Sequence, residues 1–312
     1  MLIILSGCCI KVKLEYSSSF MLSVIILALI QGLTEFLPVS SSGHLILIPK
    51  LFNLKNFGLD FDAFLHIGTL FAVLVYFRKD IWNLIKGFLR IDKSYSKLSY
   101  GILIATIPVV LIGFGLKDFF ETDFIRSIDF VAYMLIAGSV LMYVAEKFSI
   151  RTEAKTRELA PDDEMRENAV LLKQNCNSKK DMQELGYLQM LFIGLIQCLA
   201  LFPGMSRSGS TIAAGIFTGL KKEEAARFSF LLGLPAIAGA GLLAVKDMLE
   251  VGSLELGLME LSLGLLISFV SGLLAIDFLL KFLRNQSLTV FVVYRLIFAA
   301  LLIILSKYGI LS

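Results

Sequence analysis

The chain has 312 residues, 57% of them apolar, and its 29 Lys and Arg against 26 Asp and Glu give a formal net charge of +3. Mean hydropathy is +0.80, and the apolar share exceeds the roughly 45–50% of ordinary globular chains. A soluble domain is excluded, the small charge excess marks no nucleic-acid partner, and apolar runs of roughly 20 residues are long enough to cross hydrocarbon as helices.

Residues 1–20 read as a leader without an assigned role. LSGC at Leu5 to Cys8 has the look of a lipoprotein cleavage box, but no basic residue precedes it and the apolar run is short for a signal peptide. Cys8, Cys9, Cys176 and Cys198 are scattered over leader, polar loop and apolar helix, which suits unpaired thiols rather than a disulfide framework or metal cluster.

From Met21 an apolar run reaches Leu37, Pro38 stops the helix, and a second short helix runs from His44 to about Leu51. Neither piece spans alone, so 21–52 is expected to be a re-entrant hairpin. Spans follow at 61–77, 98–116 and 128–146, the first two separated by a basic, partly amphipathic loop that belongs on the cytoplasmic side. The charge-rich stretch 147–186 reads as a cytoplasmic linker. A second hairpin at 187–219 and spans at 223–245, 257–281 and 288–306 complete the chain.

The second part repeats the first. LIQGLTEFLPVSSSGHLI at Leu29 to Ile46 returns at Leu195 to Ile212 as LIQCLALFPGMSRSGSTI, a constant 166 positions later, with nine of 18 residues identical. The repeats are thus 21–146 and 187–312. Each holds one hairpin and three spans, an odd number, so the second enters the bilayer inverted. The fold expected is an all-α polytopic membrane protein with inverted-topology repeats whose two serine loops meet near the midplane.

Polar residues in such a setting point to chemistry. Gln31 and Glu35, four apart, share a helix face. Ser40, Ser41, Ser42 and Gly43 lead into a helix whose first amides make an anion cradle. His44 lies in the turn beyond, placed for proton transfer or nucleophilic attack. Ser206, Arg207, Ser208 and Gly209 make the second cradle, with a guanidinium suited to phosphate and Thr211 one turn on. His66 and Arg295 lie inside spans, and for each a bond to a facing helix weighs at least evenly against a role at the substrate. Two cradles at bilayer depth imply a phosphorylated amphiphile and cleavage of a phosphoanhydride or phosphoester.

QGLTEFLPVSSSGH and PGMSRSGST closely resemble the two signature regions of the undecaprenyl-diphosphatase family, the bacitracin-resistance proteins. The resemblance extends through FDAFLHIGTLFAV, FSFLLGLP and VYRLIFAA and covers essentially 21–312. It implies removal of the terminal phosphate of undecaprenyl diphosphate in the plasma (inner) membrane, at a site reached from the outer face, with Mg²⁺ or Ca²⁺ in support. It also implies a catalytic group of Glu35, Ser41, His44 and Arg207, with Ser206 and Thr211 at the phosphate. In this reading His44 attacks phosphorus or acts as base, Glu35 orients His44 or holds the cation, and Ser41 and Arg207 bind the diphosphate. Gln31 stands where the family allows Glu or Gln, so this chain offers one carboxylate where some members have two. The partners expected are the lipid diphosphate and membrane lipid, and a homodimer is compatible with them.

A lipid-phosphate flippase would use the same architecture and is the main rival. The acid-phosphatase type of lipid phosphatase needs a histidine after the SR arginine, and both histidines here precede Arg207. A non-catalytic assembly protein would leave Glu35, His44 and Arg207 buried without a purpose.

Overall fold

The computed structural model describes residues 20–309 apart from 56, 121, 159–179 and 252–256. The leader, the centre of the linker, Cys8, Cys9 and Cys176 fall outside them, and Cys198 is a free thiol. The described residues are helical, with one isolated bridge between Lys180 and Leu220.

The helices in order are α1 Phe20–Phe36, α2 Ser41–Leu51, α3 Leu59–Tyr76, α4 Arg78–Phe88, α5 Lys93–Gly115, the single turn α6 Lys117–Phe120 and α7 Ile128–Glu158. Then come α8 Tyr187–Gln197, extended by a 3₁₀ turn at Cys198–Leu201, α9 Arg207–Phe217, α10 Lys222–Val251, α11 Leu258–Asn285 and α12 Thr289–Lys307. Five of them, α5, α7, α10, α11 and α12, are long and apolar enough to cross a membrane, and α3 with α4 makes a sixth if that bent pair counts as one span. Their outward faces carry large apolar side chains such as Leu111, Phe114, Leu242, Leu266 and Ile297. In water such a surface would be a liability, whereas against lipid it is the expected one.

The stretch between the first two expected spans is helical rather than a loop. α4 leaves α3 at 81°, and its Trp82, Ile85 and Phe88 recur at helical spacing on one exposed face.

Small residues set the close approaches, as usual where lipid leaves no hydrophobic force between helices. Gly194 on α8 lies against the Ala105 carbonyl on α5, where a Cβ would collide with backbone. Gly32 on α1 lies in the same way against Ser268 and Ser271 on α11.

Ion pairs gather at one end: Arg227 with Asp80 and Glu224, Lys222 with Glu146, Arg284 with Glu223, and Lys221 with Asp181. They join α4, α7 at Glu146, the end of α11 and, through Asp181, the last residues of the linker to the start of α10 and the Lys221 that precedes it. Asp181 holds the Lys221 ammonium above its usual range by accepting its hydrogen bond. Glu146 is 3% exposed and also accepts from the Leu288 amide, so it fixes the turn into α12 as well.

Candidate active site

The site is built where two helices stop. Pro38 and the Pro203-Gly204 pair end the helical runs, and in each case a serine then caps the next helix. Ser40 (φ 75°, ψ 97°) precedes α2 and Ser206 (φ 70°, ψ 114°) precedes α9. The two serines accept through Oγ from the Gly43 and Gly209 amides, at 3.4 and 3.2 Å. Each hydroxyl also lies 3.2 Å from the serine two residues on, Ser42 or Ser208. Positive φ at a non-glycine residue costs on the order of 1–3 kcal/mol, and the same strain held at both breaks aims two helix N-termini alike. The first-turn amides of α2 and α9, which lack acceptors within their own helices, are the donors an anion would use.

The two breaks touch. Ser208 Oγ donates to the Leu37 carbonyl at 3.1 Å, and the Gly204 amide donates to Ser42 Oγ at 3.3 Å. Arg295, fully buried on α12, spans both: Nη1 donates to the Pro38 carbonyl at 3.4 Å, and Nη2 to the Gly204 and Met205 carbonyls at 2.9 and 3.2 Å. Further donations reach Ser139 Oγ and the Leu135 carbonyl on α7. Arg295 has no carboxylate partner among the described residues. Its place is that of a staple on backbone oxygens, so of the two readings left open by the sequence the structure carries the bond to neighbouring elements.

Glu35, near the end of α1 and 8% exposed, is the hub. Its Oε1 accepts from Arg207 Nη2 at 2.9 Å. Its Oε2 accepts from Ser41 Oγ at 2.9 Å and from Gln31 Nε2 at 3.1 Å. His66 Nε2 lies 3.4 Å from the same oxygen. Arg207 also donates to the Ser229 carbonyl at 3.2 Å. Thr211, expected at the phosphate, is fully buried. Its hydroxyl donates to the Arg207 carbonyl at 2.8 Å and accepts from Ser229 Oγ at 2.6 Å, so Thr211 braces Arg207 instead of extending the cradle.

His44 is not the partner of Glu35 that the sequence suggested. Its Nδ1 lies 2.7 Å from the Ser40 carbonyl, and a carbonyl only accepts, so that nitrogen carries the hydrogen. The remaining lone pair, on Nε2, accepts from Tyr294 Oη at 2.6 Å. Phe298 stacks on the ring with centroids 4.3 Å apart. Both nitrogens are therefore engaged, and the histidine that reaches Glu35 is His66.

A cavity of about 430 Å³ reaches this cluster. Ser41, Ser42, His66, Asp60 and Asp62 supply polar lining, with Lys117 and Arg126, while Val109, Phe114, Pro235 and Leu243 help form apolar walls. Asp60, Asp62, Ser229 and Tyr294 were not marked in the sequence. The only signal for the two acids is their pairing in the first turn of α3, which reads equally as a favourable helix start.

The donor set does not fit a resident divalent cation. Among the described residues no three His, Cys, Asp or Glu converge on one point, and both Glu35 oxygens already face other side chains, the Arg207 guanidinium and the His66 ring among them.

The chain matches the family model described as bacitracin resistance protein BacA over residues 24–301. It is 37% identical over 299 residues to an undecaprenyl-diphosphatase of Myxococcus xanthus, an overlap of 94% of this chain and 91% of the relative. To an undecaprenyl-diphosphatase of Methanosphaera stadtmanae it is 38% identical over 301 residues, covering 91% of this chain and 98% of the relative. With paired serine-capped breaks at its centre and similarity running through almost the whole chain, this protein belongs to the bacitracin resistance protein BacA family.

Proposed function

We propose that this protein hydrolyses the terminal phosphate of undecaprenyl diphosphate, yielding undecaprenyl phosphate for reuse in cell-wall precursor carriage. The relatives' names support this. The observation that carries it is the Ser41–Glu35–Arg207 chain, in which a hydroxyl, a carboxylate and a guanidinium from two facing helix breaks meet within hydrogen-bond distance. A cavity with apolar walls and a polar end suits a lipid whose tail stays in hydrocarbon.

In this mechanism the diphosphate enters between the first-turn amides of α2 and α9 and takes Arg207 from Glu35. Freed of that partner, Glu35 accepts the Ser41 proton as Ser41 Oγ attacks the terminal phosphorus. The anhydride P–O bond breaks, and undecaprenyl phosphate leaves with its electron pair. Water then attacks the phosphoserine phosphorus as the Ser41 Oγ–P bond breaks, and Ser41 Oγ takes the proton held by Glu35. The water passes one proton to the carboxylate so freed and keeps the other on the departing inorganic phosphate. Glu35 finally loses its proton to solvent. The cradles and Arg207 stabilise charge gathered on the equatorial oxygens, the main task in phosphoryl transfer. A divalent cation, where used, would arrive with the diphosphate, since the described residues offer no cage for it.

We place the chain in the plasma membrane as two inverted repeats, 21–146 and 187–312, each with a re-entrant hairpin. The matched caps and the reciprocal Ser42–Gly204 and Ser208–Leu37 contacts support this reading. The cavity draws on the start of α3, the end of α5 and the second half of α10, opposite the end carrying α4 and the linker. Under the positive-inside rule that end is cytoplasmic, so the cavity opens outward.

The test is inorganic phosphate release from undecaprenyl diphosphate by purified protein in detergent, where nothing can be transported. The unmodified chain is expected to turn over, and Ser41→Ala and Arg207→Ala to lose about 100-fold or more, the usual loss when a group at a transition-state charge is removed. No release by well-folded protein would move the reading to a lipid-phosphate flippase.

A further inference from the structure

Of the groups around Glu35, one comes neither from a serine loop nor from α1 itself. His66 sits in the third turn of α3, lines the cavity, and its side chain is 27% exposed. Its Nδ1 lies 2.8 Å from the Asp62 carbonyl one turn back. That oxygen only accepts, so Nδ1 carries a hydrogen, and the bond fixes the ring plane. The other nitrogen is thereby turned on Glu35 Oε2 at 3.4 Å. This is the oxygen that holds the Ser41 hydroxyl. A ring placed between a carbonyl and a carboxylate satisfies both only by donating from both nitrogens.

The duplication adds an independent observation. At the offset of 166 positions Gln31 meets Gln197 and both capping serines recur, yet Glu35 falls on Leu201 and His66 on Leu232. Carboxylate and imidazole are both replaced by leucine in the second half, although they are 31 positions apart and on different helices. Two residues that serve one purpose would be lost together.

We infer that His66 is a positioning residue for the reaction proposed above: it donates from Nε2 to Glu35 Oε2 and keeps that oxygen turned to the Ser41 hydroxyl. This rests on Ser41 and Glu35 being the reacting pair. Gln31 holds the same oxygen from within α1 and cannot set its position relative to α3, whereas His66 ties α1 to α3.

The test compares His66→Leu with His66→Gln in purified full-length protein, with kcat and KM for undecaprenyl diphosphate measured separately. Leucine removes the donor. Glutamine keeps an N–H near the place of Nε2 without a titrating ring. His66→Leu is expected to lower kcat by about 10- to 100-fold, the value of a hydrogen bond to a charged group, with KM within about twofold of the unmodified value. His66→Gln is expected to recover most of that loss. Unchanged kcat in His66→Leu, a loss confined to KM, or His66→Gln as impaired as His66→Leu would each overturn the role. Thermal unfolding of both variants separates misfolding from the effect sought. Ser41→Ala run beside them keeps the two readings apart: full activity there removes the Ser41–Glu35 pair itself, whatever the His66 variants do.

Discussion

Arg295 gives the most demanding test of how the two breaks are held. Replacing it with methionine keeps much of the volume and the apolar stem and deletes every donor. The Leu135 and Met134 carbonyls are helical oxygens within α7, but those of Pro38, Gly204 and Met205 lie in the breaks and receive Arg295 at 3.4, 2.9 and 3.2 Å. A buried polar group left without its partner costs about 1–3 kcal/mol, so three of them put roughly 3–9 kcal/mol at stake. Relief from burying a guanidinium offsets part of this, which places the expected loss toward the lower end. Even that is a large fraction of the roughly 5–15 kcal/mol by which proteins are stable. Arg295→Met should therefore unfold at a clearly lower temperature in detergent and lose turnover, while Arg295→Lys, with one compact donor group, should fall between. Arg295→Met with the unmodified protein's unfolding temperature and phosphate release would refute the staple.

Tyr294→Phe removes the hydroxyl held by His44 Nε2 at 2.6 Å. If His44 serves to fix the turn at Ser40, turnover should fall about 3- to 10-fold, the value of one neutral hydrogen bond; an unchanged or faster rate would mean that His44 acts through the nitrogen so uncovered. Trp82, the only tryptophan in the chain, reports on α4 directly. With the ring 57% exposed and Lys86 Nζ 5.6 Å from its centroid, its emission in vesicles should be quenched by lipids brominated near the headgroup more than by lipids brominated deep in the tails. Quenching by neither would place α4 in water.

Much of the fold could be read in advance because hydropathy and helix breakers are local properties of sequence. Pro38 and Pro203-Gly204 mark where helices stop, and the 166-residue offset by itself pairs the two serine loops. The departures have equally physical causes. The α4 segment reads as a loop because Arg78, Lys79 and Lys86 outweigh Trp82, Ile85 and Phe88 in a hydropathy average, although their spacing is helical. The sequence leaves Arg295 between a bond to a facing helix and a role at the substrate, because its partners are mostly backbone carbonyls, which every residue has and no side-chain pattern advertises. His44 stood beside the serines in sequence and so drew the role of Glu35's partner. Its ring instead turns to Tyr294, 250 positions away, a pairing set by how α12 packs on α7 and α2.

The division of labour between the breaks explains why both are needed. Two matching cradles would hold an anion equally well and do nothing further to it. Cleavage requires them to differ, and they differ at the positions that meet: Ser41 stands at the offset of Arg207, and Glu35 at that of Leu201. One break thus supplies the hydroxyl and its base, the other the guanidinium, and the 2.9 Å contact between Glu35 and Arg207 joins the two contributions. That contact also guards the resting site. A buried carboxylate would be costly without a counter-charge, and an unpaired guanidinium would be as costly. In the proposed mechanism each answers for the other until a diphosphate displaces the carboxylate. Binding and activation would then be one event, because the ligand that claims Arg207 would be the one that releases Glu35 to act on Ser41.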